Sequence, residues 1–198
     1  MAGFNEYYKS NRRKNPLRWP DIDVVRLISK SLPPDGGNVL DLGCGEGRNL
    51  RFLLDCGYQP LCIDASEEAL RLVHELYGLP ADRLIQSDAI TALEKIGSST
   101  FDLILCWGLS HYVDNTKNLL GNIRRILKDS GSLVMSFSAD DDQRPRAAEI
   151  MKLFSYTDVH IAITESNFDI QDFGKMTMID YTKDIVASYF WVRASPKA

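Results

Sequence analysis

The chain has 198 residues, enough for one domain with a substantial buried core, and its 44% hydrophobic and 25% charged residues are the balance of a globular protein rather than a disordered or fibrous one. A net charge of −4 argues against a protein whose main partner is nucleic acid, and no apolar run is long enough to cross a bilayer. The start MAGFNEYYKSNRRKN lacks the apolar stretch of a signal peptide, so a cytoplasmic protein acting on a small molecule is expected.

In chain order, residues 1–34 read as two helices interrupted around Asn15-Pro16 and Trp19-Pro20. FNEYYKSNRRKN is polar with an aromatic edge, and DIDVVRLISKSL repeats apolar residues at helical spacing. Pro33-Pro34-Asp35-Gly36-Gly37 ends that unit. NVLDL reads as a buried strand, RNLRFLLDCG as a helix closed by Gly57, and PLCID as a second strand. Ser66 followed by Glu67 and Glu68 starts the helix EEALRLVHELY, which Gly78-Leu79-Pro80 stops. RLIQ is a third strand, AITALEKI a short helix, FDLILCW a fourth strand, KNLLGNIRRILK a helix and SLVMSFSA a fifth strand. QRPRAAEIMKLF and YTDVHIAITESN read as helices. FDIQDFGKMTMIDYT and DIVASYFWVRAS read as long strands that meet at Lys183-Asp184, too close to do anything but pair as a hairpin.

Strands that alternate with helices through short, right-handed connections give an open parallel sheet covered on both faces. The expected fold is therefore of the α/β class, and the absence of any linker or repeat makes it one domain. Cys44, Cys56, Cys62 and Cys106 show no C-x-x-C spacing and no accompanying histidine pattern, so they read as reduced thiols and no metal is expected.

The stretch VLDLGCGEGRNL, Val39 to Leu50, sets three glycines at alternate positions where a strand turns into a helix. A strand aimed at a helix N-terminus gathers unpaired N–H groups and the positive end of the helix dipole, which makes a ligand site. Gly43, Gly45 and Gly47 would let backbone approach that ligand and adopt dihedrals other residues resist. A dinucleotide fingerprint wants its third glycine at position 48, where this chain has Arg48. Asp41 sits poorly beside a pyrophosphate and suits a cationic ligand with an amino group. Asp64, at the tip of the second strand, is placed to accept ribose hydroxyls, and Asp88, after the third, to accept the amine of an adenine.

On these residues the chain resembles the class I S-adenosylmethionine-dependent methyltransferases over about residues 37–138, with a plausible match of the tail to 194. The acidic D-x-G-x-G-x-G corner is matched by Asp41, Gly43, Gly45 and Gly47, the ribose carboxylate by Asp64, and the adenine position by Asp88 and Ala89. FDLILCWGLSHYV matches the strand that ends beside the methyl group, and Leu127 to Ser132 matches the turn into strand five. The resemblance implies a three-layer αβα sandwich whose mostly parallel seven-stranded sheet runs 3-2-1-4-5-7-6, with strand 7 antiparallel. It divides the chain into an N-terminal helical lid (1–34), a cofactor-binding core (37–139) and an acceptor-side segment with the hairpin (140–198). It implies S-adenosylmethionine as cofactor, leaving S-adenosylhomocysteine as product, and an O or N nucleophile on a small acceptor. The expected cofactor contacts are Tyr8 as a lid residue, Asp41, Gly43, Cys44, Gly45, Gly47, Asn49, Asp64, Ala65, Ser66, Asp88, Ala89, Cys106, Trp107 and Gly108.

Methyl transfer from a sulfonium is an in-line displacement, so alignment and exclusion of water do most of the work and a base is optional. His111, four residues beyond Trp107, is the histidine placed to act as that base, or else a loop residue lining the pocket. His74 and His160 fall in helical patterns. Cys44 reads as a small side chain under the ligand rather than a nucleophile, Cys106 as a strand end, and Trp107 and Tyr112 as pocket wall or plain core. Lys9, Arg12, Arg13, Lys14 and Arg18 against Glu6 give the first twenty residues a net of +4, either a solvated face or an attractor for an acidic acceptor. Asp140-Asp141-Asp142 reads as a solvated loop in preference to a metal site, and no N/D/S-P-P-Y/F/W motif of nucleic-acid amino methyltransferases follows strand four. A non-catalytic cofactor binder or partner subunit, and a NAD-dependent oxidoreductase, stay as alternatives.

Overall fold

The computed structural model describes residues 2–10, 19–33, 36–144, 152–180 and 185–197. Seven strands, β1 (Val39–Leu42), β2 (Leu61–Asp64), β3 (Leu84–Gln86), β4 (Phe101–Cys106), β5 (Leu127–Ser138), β6 (Phe168–Asp180) and β7 (Ile185–Pro196), form one sheet in the order 3-2-1-4-5-7-6. Pairing is parallel from β3 through β5 and antiparallel where β7 meets β5 and β6. The helices are α1 (Ala2–Ser10), α2 (Ile22–Ile28), α3 (Leu50–Asp55), α4 (Glu67–Tyr77), α5 (Ala89–Lys95), α6 (Thr116–Ile126) and α7 (Tyr156–Glu165).

Alternation along the strands divides the core into two layers. Leu40, Leu42, Ile104, Leu133, Met135 and Phe137 pack with residues of α5, α6 and α7 on one face. Val39, Leu103, Leu105 and Val134 face the other way, onto Val24, Leu27 and Ile28 of α2 and Leu53 of α3. Because both faces are covered, the central parallel strands β1, β2 and β4 are apolar at most positions. The expected three layers and strand order are thus present.

Local signals act as the residue types dictate. The Ser66 hydroxyl accepts from the Ala69 N–H to cap α4, and Gly78 closes that helix at φ 68. Ser155 and Asp158 form a reciprocal capping box that starts α7.

Two details differ from expectation. β5 begins at Leu127 rather than Ser132, because Leu127 pairs with Phe101 before the register jumps and Ser132 pairs with Leu103. Of the helix expected over 143–154, residues 145–151 lie outside the described residues. Lys152 to Phe154 is extended, with Phe154 bridging in parallel to Ala139 and its N–H donating to the Ser138 carbonyl. The break expected at Asn15-Pro16, the cations Arg12, Arg13, Lys14 and Arg18, and the hairpin tip at Lys183 also lie outside them.

Candidate functional site

The corner between β1 and α3 is fixed by the end of β2: the N–H groups of Gly43 and Cys44 both donate to the Ile63 carbonyl, at 2.8 and 3.2 Å. Gly43, Gly45 and Gly47 all have positive φ, at 74°, 54° and 82°. The dihedrals are those expected of glycine, and the missing side chains also make room for neighbours within the protein, which the spacing did not foretell. A Cβ on Gly43 would come within 3.1 Å of Leu109, one on Gly45 within 2.7 Å of the Tyr8 hydroxyl, and one on Gly47 within 2.6 Å of the Tyr77 ring. Of the three, only Gly43 lines the adjoining cavity.

That cavity measures about 490 Å³, within the range of small-molecule sites. Gly43, Asp64 and Ala65 form one wall, Ser87 to Ile90 a second, and Gly108, Leu109 and Tyr112 to Asn115 a third. Tyr8 closes it from α1. The helix is held there by Asn5, whose Oδ1 accepts from the Ser66 hydroxyl at 2.7 Å and from the Glu68 N–H at 3.4 Å. Burial, then the Asp64 charge, pushes the Tyr8 phenol well above its ordinary range.

Asp64 stands at the cavity with one oxygen accepting from the Gly45 N–H and the other from the Ser66 N–H, each at 2.8 Å. Burial raises its carboxyl, and those N–H groups oppose the rise. Asp41 lies deeper, 3% exposed and behind the cavity surface. Its Oδ2 is buried without a hydrogen-bond partner among the described residues. Burial first, and then the Asp64 charge, raises the Asp41 carboxyl to about 7. Asp41, expected to meet a ligand's amino group, thus lies beneath the corner and outside the lining of the cavity.

Asp88 lines the cavity, but its Oδ1 caps α5 by accepting from the Thr91 N–H at 2.9 Å, which also holds its carboxyl below the usual range. Ala89 and Gly108 line the cavity as expected; Gly108 has φ 76 and donates its N–H to the Ser136 hydroxyl at 2.8 Å. Ser66 is fully buried and acts through its cap and its bond to Asn5. Cys44 is buried among Leu50, Leu70 and Val73. Its thiol is pushed up by the hydrogen bond with Cys62 and by burial, which leaves no thiolate for nucleophilic work. Cys106 is wholly inside the core and Trp107 packs edge-on against Tyr189 at 5.6 Å; neither lines the cavity.

Asn49, expected beside the cofactor, does not line the cavity and is engaged within the protein. Its Oδ1 accepts from the Asp21 N–H at 3.0 Å, and neighbouring Arg48 donates its Nε to the Trp19 carbonyl at 3.0 Å. These two residues clamp the entry of α2 to the start of α3. Asn49→Ala is expected to lower stability by about 1–2 kcal/mol through the lost buried hydrogen bond while leaving cofactor affinity within about twofold. Urea denaturation beside a ligand titration checks both halves.

His111 lies outside the cavity lining, with its Nδ1 3.1 Å from the Ser138 hydroxyl, while the next residue, Tyr112, supplies the wall. The Asp140–Asp142 loop is less solvated than expected. Asp141 pairs with Lys175 and Asp142 is buried against Arg144, and no cluster suited to a metal occurs among the described residues. Sequence reasoning missed Ile63, Ile90, Leu109 and Val113 to Asn115. The signal that could have found Asn115 is its residue type ahead of a helix, since it accepts from the Asn118 N–H as the cap of α6.

No helix among the described residues is long and apolar enough to cross a membrane. A buried acid without a partner, a carboxylate at the cavity edge and a crevice beyond parallel strand ends fit a ligand that carries a cation, vicinal hydroxyls and a flat base. A ubiquinone biosynthesis O-methyltransferase of Xanthomonas axonopodis pv. citri is 30% identical over 137 residues, 67% of this chain and 56% of the relative. The chain spans about half the length of the curated relatives it matches. Among solved structures, a SAM-dependent methyltransferase of Methanosarcina mazei has 18% identity and a TM-score of 0.71, covering 86% of this chain and 97% of the other. The 1,6-didemethyltoxoflavin-N1-methyltransferase of Burkholderia thailandensis, solved with bound 1,6-didemethyltoxoflavin and S-adenosylhomocysteine, has 18% identity and a TM-score of 0.72, covering 100% of this chain and 87% of the other. Residues 10–172 match the family described as a methyltransferase domain, and the chain belongs to that family.

Proposed function

We propose that this chain binds S-adenosylmethionine and moves its methyl group to an oxygen or nitrogen of a small-molecule acceptor in the cytoplasm. The observation that carries the reading is the unpaired, buried Asp41 oxygen beneath a glycine corner whose neighbouring Asp64 edges the cavity. Asp64 would hold the ribose hydroxyls, the stretch Ser87 to Ile90 the adenine, and Asp41 would favour the amino-acid cation through its field. Tyr8 on α1 would cover the ligand. Bound there, the cofactor supplies a methyl on a sulfonium, an electrophile that asks for alignment more than for acid or base.

The names of the similar proteins support a small acceptor with an oxygen or a ring nitrogen. Arg48 works against the dinucleotide reading, because its side chain is committed to the Trp19 carbonyl where that fingerprint needs a glycine. A binder without catalysis is the remaining rival.

Calorimetry with S-adenosylhomocysteine and NAD, followed by transfer from a radiolabelled donor into a metabolite pool, tests the proposal. Uptake of the nucleoside and label in at least one metabolite are expected; uptake of NAD alone overturns it, and uptake without any label favours the binder. Within the same reading His111 serves as acceptor-side base, its ring oriented by Ser138. His111→Ala is then expected to lower turnover about a hundredfold and flatten its rise with pH. Unchanged turnover between about pH 6 and 9 would remove that role.

A further inference from the structure

One face of β5 sends Leu133, Met135 and Phe137 into the apolar layer shared with α6, whereas the other face reads Val134, Ser136, Ser138. Ser136 and Ser138 are 5% and 3% exposed, as buried as the core around them. Hydroxyls at such depth need partners inside the protein.

The partners lie in the loop that leaves β4. Pairing between β4 and β5 ends with Cys106 opposite Met135, and two residues later the chain has turned away, with Gly108 at φ 76. The Gly108 N–H donates to the Ser136 hydroxyl at 2.8 Å, and the Ser136 carbonyl accepts from the wholly buried Ser110 hydroxyl, also at 2.8 Å. Side-chain hydroxyls thus take over where the ladder between the two strands stops. Ser136 is itself a firm base, because its backbone pairs on the far side with Trp191 of β7. Between the two gripped residues stands Leu109, whose side chain would lie 3.1 Å from a methyl placed on Gly43. Gly43, Gly108 and Leu109 line the cavity, and Ser136 lies behind them.

We propose that Ser136 is a positioning residue for the nucleoside: through Gly108 and Ser110 it fixes Leu109 as the cavity wall beside the glycine corner. The inference rests on the methyl-transfer reading and adds to it a residue behind the cavity that governs affinity. A wall held by hydrogen bonds to a strand is in place before the ligand arrives. Without the hydroxyl, the Gly108 N–H is left unserved and the wall has to be ordered at the moment of binding.

Ser136→Thr and Ser136→Val, titrated with S-adenosylhomocysteine in a calorimeter, test this. Both add a branched side chain that a strand accepts, and they differ only in a hydroxyl against a methyl. The valine variant is expected to bind about tenfold more weakly than the threonine variant, and in a Leu109→Ala background that gap should shrink to about twofold or less. Ser110→Ala, which leaves β5 untouched, is expected to weaken binding about threefold or more. Exchange of the Gly108 amide reads the grip with no ligand present: protection is expected in the threonine variant and its loss in the valine variant. Equal affinities of the threonine and valine variants, a gap undiminished without Leu109, unchanged affinity in Ser110→Ala, or a Gly108 amide still protected in the valine variant would each overturn the role. Wild-type protein that takes up no S-adenosylhomocysteine, with the Gly108 amide exchanging as expected, would instead overturn the methyl-transfer reading.

Discussion

Replacing Gly47 by alanine is expected to lower stability by about 2–4 kcal/mol, a fall of roughly 5–15 °C in melting temperature. Two terms add. The residue stands at φ 82, which a side chain resists, and the new methyl would lie 2.6 and 3.1 Å from ring carbons of Tyr77 and 3.2 Å from Val73. Both neighbours belong to α4, whose Val73 is fully buried, so relief requires the helix to move. Gly45→Ala should behave differently. Its nearest contact is the Tyr8 hydroxyl at 2.7 Å, the far end of a side chain on α1, and the next Tyr8 atom is 3.6 Å away. The strained φ alone costs about 1 kcal/mol, and the larger effect is on nucleoside affinity through a displaced Tyr8. Removing that hydroxyl in a Gly45→Ala/Tyr8→Phe double variant is expected to recover most of the affinity. Chemical denaturation and calorimetry on the variants decide the matter: equal stability loss at both glycines, or no recovery in the double variant, would refute the division of labour.

The same corner shows where sequence stops being readable. Alternate glycines announce that side chains are unwelcome, but not whether ligand or protein fills the space, and here Tyr8 and Tyr77 come from elements far along the chain. Strand identity and order were legible because the crossover rules leave few arrangements for alternating strands and helices. The caps of α4 were legible because Ser66 and Gly78 act on atoms within a few residues of themselves. The early start of β5 was not, since the pairing of Leu127 with Phe101 is a tertiary event that composition around Lys128 to Gly131 does not foretell. Asn49 shows a related limit: a polar residue after a glycine corner suits a ligand, and only the fold reveals Asp21 as a partner. That Asp64 and Ala65 line the cavity was legible because a strand tip in a parallel sheet faces the crevice whatever the rest of the chain does.

Asp41 carries the other large expected effect. Its folded value of about 7 lies above the 3.8 of an exposed carboxyl, so the ligand-free fold holds this proton more tightly than the unfolded chain does. Below about pH 4 both states are protonated and the residue makes no difference to stability. Between about pH 4 and 7 the unfolded chain ionises first and stability falls; above about 7 the loss is complete, at most about 4 kcal/mol. Asp41→Asn removes that titration but buries an amide in the same unpartnered place, which costs about 1–3 kcal/mol at every pH. The variant should thus be less stable than wild type near pH 4 and gain on it by about 3–4 kcal/mol by pH 8, crossing between. Binding should move oppositely. A ligand cation lowers the Asp41 value and drives off the proton, so wild-type affinity for S-adenosylhomocysteine rises with pH through about 7, with proton release visible as buffer-dependent heat. In Asp41→Asn the affinity should fall about tenfold and lose most of that dependence. Parallel stability curves for the two proteins would show that Asp41 does not titrate in this window. An unchanged nucleoside affinity would show that its field does not reach the cavity. Either result would remove the reason for keeping an unpaired acid in the core, since a carboxylate that harms the empty fold is worth its place only if something positive comes to stand above it.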